Sequence, residues 1–178
     1  MSSYLDRIGA GLILSKPEVF GFDFVPEVLV GREDIQGELA TILGSIAHPE
    51  GTGRVVITGP VGSGKTVLVK RFCQDIIRHL SDKRNIKRVH VNCRNAATPS
   101  RVMQKIVQDL DPGHPDRGLG VGELLTSLRR MLHSSNTHLI VILDEVDHLL
   151  RRSGDDIIYK LMRIDEDREG VGTLSTIM

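Results

Sequence analysis

The segment Gly59-Pro-Val-Gly-Ser-Gly64-Lys65-Thr66 limits the fold of this chain more than any other. Its spacing, G-x-x-x-x-G-K-[ST], is that of a loop that wraps a phosphate between a strand and a helix. Backbone N–H groups from about Val61 to Thr66 can converge on one anion, helped by the positive end of the helix that follows. Gly62 and Gly64 permit backbone conformations and a close approach that side chains would obstruct. Lys65 is placed to reach the β- and γ-phosphates, and the Thr66 hydroxyl to sit on Mg²⁺. Gly59, Pro60, Val61, Ser63 and Val67 complete the candidate phosphate cradle. The flanks agree. Val55-Val-Ile57 is a short apolar run before the loop, and Val69, Phe72, Cys73, Ile76, Ile77 and Leu80 carry a helical period after it.

A second element completes the chemistry. Leu139-Ile-Val-Ile-Leu143 is apolar without alternation, which suits a strand buried on both faces. It ends in Asp144-Glu145. A carboxylate at the end of a buried strand beside a phosphate loop can hold Mg²⁺ through its water shell, so Thr66 and Asp144 are the candidate metal residues. Glu145 is placed to polarise an attacking water. Small-molecule phosphotransferases share the loop but do not need such an acidic pair, and no acceptor motif is visible. Lys65, Asp144 and Glu145 are therefore the candidate catalytic residues of a nucleotide-hydrolysing or nucleotide-switched protein.

The remaining pattern sets the fold class. An apolar stripe over 32–47 (Ile35, Leu39, Ile42, Leu43, Ile46) predicts a helix, closed by Pro49-Glu-Gly-Thr-Gly53. Residues 87–92 predict a strand, and 99–110, 120–132 and 155–163 predict helices. Thr173-Leu-Ser-Thr-Ile-Met178 begins another strand. Strands alternating with helices predict an α/β fold with a mostly parallel sheet flanked by helices.

Composition excludes several classes. With 40% hydrophobic and 26% charged residues, the chain is globular and not disordered. No apolar run approaches the 18 or so residues of a membrane span, and no membrane partner is expected. The first twenty residues carry Asp6 and lack a basic leader, so they read as a short helix or arm. Cys73 and Cys93 are too few for a disulfide framework, which fits the cytoplasm, and Cys93 reads as a buried thiol at a strand end. The seven histidines form no zinc spacing. The pairs Lys83-Arg84, Lys87-Arg88, Arg129-Arg130 and Arg151-Arg152 read as solvated surface, and 23 basic residues balance 23 acidic ones.

Four segments resemble the archaeal-type replication initiators of the Orc/Cdc class of AAA+ ATPases. They are Phe24-Val-Pro-Glu-Val-Leu-Val-Gly-Arg-Glu33, the loop Gly59–Thr66, Val89-His-Val-Asn-Cys-Arg94 with Thr98-Pro-Ser-Arg-Val102, and Val141-Ile-Leu-Asp-Glu-Val-Asp-His-Leu-Leu150 with its continuation to Ile164. The resemblance runs from about Phe20 to the C-terminus. It implies a P-loop fold with a RecA-like sheet, ATP or ADP with Mg²⁺ as cofactors, and a purine and ribose wall at Val25, Pro26, Val30 and Arg32. Gly31 stands where such initiators often have His. The resemblance further implies a helical insertion near 95–120 that approaches DNA, with Arg94, Arg101 and Arg117 as candidate contacts. Origin double-stranded DNA, a replicative helicase and other initiator subunits are the implied partners. A nucleotide-gated signalling or transposition-helper AAA+ ATPase is the alternative. The resemblance also implies that 21–178 is a partial nucleotide-binding subdomain. Sensor, arginine finger, lid and winged-helix domain would lie beyond Met178, so DNA binding and turnover of these residues by themselves are expected to be weak.

Overall fold

The computed structural model describes residues 19, 21, 24–115, 117–164 and 172–178. The expected N-terminal arm thus lies almost wholly outside the described residues. Helix α1 (Glu33–Ile42) is followed by a 3-10 turn (Gly44–Ala47) and strand β1 (Arg54–Val55). Then come α2 (Lys65–His79), β2 (Asn85–Asn92), α3 (Pro99–Leu110), α4 (Val121–Ser134) and β3 (Thr137–Asp144). Helices α5 (Val146–Ser153) and α6 (Asp156–Met162) precede β4 (Thr173–Ile177).

The four strands form one parallel sheet in the order β1-β4-β3-β2. Strand β3 lies between β2 and β4, and every residue from Thr137 to Leu143 is buried. Its side chains divide by parity, as the period of two requires. Leu139, Val141 and Leu143 join a core with α3, α4, α5 and α6 on one face. Ile140 and Ile142 join a second core with α1, α2 and Val55 on the other. A continuous apolar run is what a strand covered on both faces needs, and 139–143 forms such a strand.

Local chemistry explains the helix starts. Pro99 opens α3, and the Thr98 hydroxyl accepts the Arg101 N–H at 3.4 Å. Glu123 reaches back from the first turn of α4 to accept the Gly120 N–H at 2.7 Å. Helix α3 occupies part of the expected insertion at 95–120; its residues Val102, Met103, Ile106 and Val107 are fully buried against the sheet and α4.

Several expectations needed correction. The predicted helix over 32–47 stops at Ile42, and Leu43 and Ile46 enter the core from the turn that follows. The predicted strand 55–57 is paired as β1 only over Arg54–Val55, although the Ile57 N–H still reaches the Met178 carbonyl at 2.7 Å. The predicted helix at 155–163 is preceded by an unexpected one, α5, whose eight residues expose only a short apolar period. Arg84 is not solvated surface. Its guanidinium donates to the carbonyls of Ile46, His48, Pro49 and Gly51 and to the Thr173 hydroxyl. A turn with several inward carbonyls needs one multivalent donor, and the planar five-donor fork of arginine supplies it.

Candidate functional site

The carboxyl ends of the parallel strands meet along one edge of the sheet, where open α/β folds place ligands. From β1 the chain runs through Thr58 into the glycine-rich loop, and α2 begins at Lys65. Gly62 and Gly64 have φ of +77° and +84°. A Cβ at either would meet no heavy atom within 4 Å, so the left-handed backbone and not crowding demands glycine there. Val61 is fully exposed at the loop tip. The Lys65 ammonium donates to the loop's own carbonyls, Gly59 at 2.8 Å and Pro60 at 2.9 Å. Val67 is half-buried in the first turn of α2.

Thr66 Oγ1 donates to Asp144 Oδ2 at 2.9 Å, joining residues 78 positions apart. The two elements singled out in the sequence thus converge on one point. The same carboxylate oxygen accepts from His90 Nε2 at 3.2 Å, and Oδ1 accepts the Glu145 N–H at 3.1 Å. These donors hold the Asp144 carboxyl below the usual carboxylate range, His90 foremost; burial opposes them, and Thr66, the charge on His90 and the Glu145 N–H reinforce the effect. Glu145 caps α5 in a left-handed backbone conformation, φ +53° and ψ +41°. Such a conformation in a non-glycine residue costs about 1–2 kcal/mol, and strain of this kind gathers at functional sites. The Glu145 carboxylate is half-exposed, with His148 Nε2 at 3.7 Å.

A cleft of about 290 Å³ opens beside the loop. Ile35, Leu39, Ile42, Val56 and Leu68 give it apolar walls, and Arg32, Ser63 and Lys65 sit at its polar side. This placement explains why Val56 is exposed although it lies in an apolar run. Of the residues expected to form a purine wall, Arg32 lines the cleft, but Val25, Pro26 and Val30 do not. Val25 and Pro26 are half-buried, and Val30 is 89% exposed. Arg32 Nη2 donates to the Ser63 carbonyl at 2.6 Å, so its guanidinium is engaged with the phosphate loop.

His90 is the site residue that sequence reasoning missed, because it counted only as one of seven scattered histidines. Its signal lies in strand parity. Val89 and Val91 point into the core beneath α3 and α4, and the register pairs His90 with Ile142 and Asn92 with Asp144. His90 therefore shares a face with Asp144. Cys93 is buried, and burial together with the neighbouring acidic groups pushes its thiol up to about 12. It is no nucleophile. Arg94, Arg101 and Arg117 are all exposed.

The family model described as AAA domain matches residues 48–178. This chain belongs to the AAA domain family. The ORC1-type DNA replication protein 1 of Sulfolobus acidocaldarius is 31% identical over 167 residues, covering 94% of this chain and 42% of that protein. The Aeropyrum pernix ORC1 protein, solved in complex with DNA, superposes with a TM-score of 0.77 at 29% identity, covering 90% of this chain and 42% of that one. The Aeropyrum pernix ORC2 protein, solved in ADPNP–ADP complexes, gives 0.80 at 26% identity, covering 90% and 44%. The resemblance of this AAA domain to the archaeal Orc/Cdc class holds in both sequence and fold. The domain spans about two fifths of these relatives. Among the described residues, no helix is long and apolar enough to cross a membrane.

Proposed function

We propose that this AAA domain is the ATP-binding core of a DNA replication initiator. The observation that carries the reading is the 2.9 Å contact between Thr66 and Asp144, which joins the phosphate loop to the acidic strand end. The replication names of the matched relatives, one of them solved with DNA, support its extension to DNA; origin sequence, other initiator subunits, the replicative helicase and a cytoplasmic site of action complete the proposal.

In this reading the backbone of Gly59–Thr66 wraps the phosphates of ATP or ADP, and Lys65 exchanges its bonds to the Gly59 and Pro60 carbonyls for phosphate oxygens. The apolar cleft beside Arg32, walled by Ile35, Leu39 and Val56, receives the base and ribose. An alcohol and a carboxylate are hard oxygen donors, and Thr66 with Asp144 fits Mg²⁺. When bound there, the ion would neutralise charge on the β- and γ-phosphate oxygens. Glu145 orients the attacking water, and its half-exposed carboxylate suits that task. The stretch 95–120, with Arg101 and Arg117 exposed within it and Arg94 exposed just before it, faces the DNA partner.

Calorimetric titration of ADP into the purified protein and its Lys65→Ala variant tests the nucleotide assignment. Binding by the parent and at least a tenfold loss in the variant are expected; equal affinity would overturn it. Genome-wide mapping of the tagged protein in its own cells tests the initiator reading. Enrichment at replication start sites supports it, and a profile without such enrichment refutes it.

A further inference from the structure

The Asp144 carboxylate takes three hydrogen bonds, and two of them come from the elements already assigned: the Thr66 hydroxyl and the Glu145 backbone N–H. The third comes from a different strand. His90 lies on β2, and its Nε2 approaches Asp144 Oδ2 at 3.2 Å. An ionised carboxylate only accepts, so Nε2 carries the hydrogen of this bond. Both side chains are partly buried, with 28% of His90 and 20% of Asp144 exposed. A charge-assisted hydrogen bond is worth more in such a place than on an open surface. No lysine or arginine among the described residues bridges Asp144; Lys65 is engaged with the loop carbonyls, and the Cys93 thiol beside the site stays neutral.

We propose that His90 is the positioning residue of the magnesium-binding carboxylate: its Nε2–H fixes the rotation of Asp144 so that Oδ2 meets Thr66. This inference rests on the nucleotide-binding reading above and adds a residue to it. Thr66 alone cannot do the same work, because its hydroxyl rotates and its oxygen is itself a candidate ligand. The imidazole is rigid and anchored by the β2–β3 ladder, which runs unbroken from Asn85↔Thr137 to Asn92↔Asp144. A carboxylate held from both sides presents one orientation to a cation's water shell. Without His90, Oδ2 keeps only the Thr66 rotor while Oδ1 keeps the Glu145 N–H, and the looser carboxylate carries an entropic cost on each binding event.

The test compares the affinity for a fluorescent ADP analogue in Mg²⁺ and in EDTA, for the parent, His90→Phe and His90→Gln. Phe keeps the ring and loses the donor; Gln carries an amide donor close to the imidazole Nε2 position. His90→Phe is expected to lose about tenfold of the Mg²⁺-dependent gain in affinity while its affinity in EDTA is unchanged. His90→Gln is expected to keep most of the gain. In an Asp144→Asn background, His90→Phe should make no further difference, because the residue acts through that carboxylate. The proposal is overturned if the gain is unaltered in His90→Phe, if affinity falls equally with and without Mg²⁺, or if the two substitutions add. Should His90→Phe not fold, His90→Asn, too short to reach, replaces it with the same expectations. A parent protein that binds no nucleotide would overturn both readings, and the Lys65→Ala titration separates that failure from the failure of His90 alone.

Discussion

Arg32 Nη2 lies 2.6 Å from the Ser63 carbonyl oxygen, tying the residue before α1 to the middle of the phosphate loop. Both residues line the apolar cleft. One guanidinium thus links the candidate base site to the candidate phosphate site. The loop keeps its shape because a residue outside it holds one of its carbonyls.

Removing that tie should loosen the loop. Arg32→Ala forfeits one charge-assisted hydrogen bond in a half-buried setting, worth about 1 kcal/mol. Pre-organisation lost to that extent corresponds to roughly a fivefold fall in nucleotide affinity. Calorimetry on the variant should show this weakening in EDTA as well as in Mg²⁺, which distinguishes it from the effect expected at His90.

Thr66→Ala and Thr66→Ser should part company. Alanine removes the hydroxyl that Asp144 accepts, at about 1 kcal/mol of stability, and with it the candidate metal ligand. Serine keeps both. Thermal melts and Mg²⁺-dependent nucleotide binding should place Ser beside the parent and Ala below it in both measurements.

Arg84 predicts a larger loss, far from the site. Its guanidinium serves four carbonyls between Ile46 and Gly51 and the buried Thr173 hydroxyl, stitching the turn after α1 to the start of β4. Arg84→Met leaves several of these acceptors without a donor, and a cost of about 3 kcal/mol follows. Urea unfolding should show it. Arg84→Lys should recover only part, since an ammonium cannot match a planar fork.

His138 sets a pH dependence. It is fully buried, its Nδ1 lies 2.6 Å from Thr173 Oγ1, and its Nε2 has no hydrogen-bond partner. Arg84 donates to the same threonine oxygen, which frees the hydroxyl hydrogen for Nδ1 and keeps the ring neutral. Burial first, and the Arg84 charge second, bring its pKa down to about 3. The unfolded chain therefore binds a proton that the folded one refuses. Stability should be full above about pH 6.5 and fall by up to roughly 1.4 kcal/mol per pH unit below it. Asp144, also held low, begins to add its own loss only below about pH 5, so pH 5–6.5 separates the histidine from it. Urea midpoints should fall in the parent as pH drops from 6.5 to 5 and stay flatter in His138→Leu.

Much of the fold was legible in the residues. The 99–110 helix lies where its apolar period and its Thr98-Pro99 start predict it, and the unbroken apolar run of β3 announces a strand covered on both faces. Helix α5 was not legible, because eight residues rich in charge give too short a period to stand out from a loop. The candidate site divides in the same way. Lys65, Thr66 and Asp144 announce themselves by spacing, whereas His90 acts through register, which no local pattern encodes.

The sequence by itself determined that a phosphate loop lies between a strand and a helix, and that an acidic pair ends a buried strand. Both are local: they depend on backbone conformation and on periods of two and 3.6 residues, which a short segment expresses alone. Only the tertiary structure decided that Thr66 and His90 meet on one oxygen of Asp144, that Arg32 grips Ser63, and that the half-buried Arg84 ties a turn to β4. Those pairings follow from strand order and register, which are settled when distant segments pack together. A polar side chain written in the sequence has no partner until that packing chooses one.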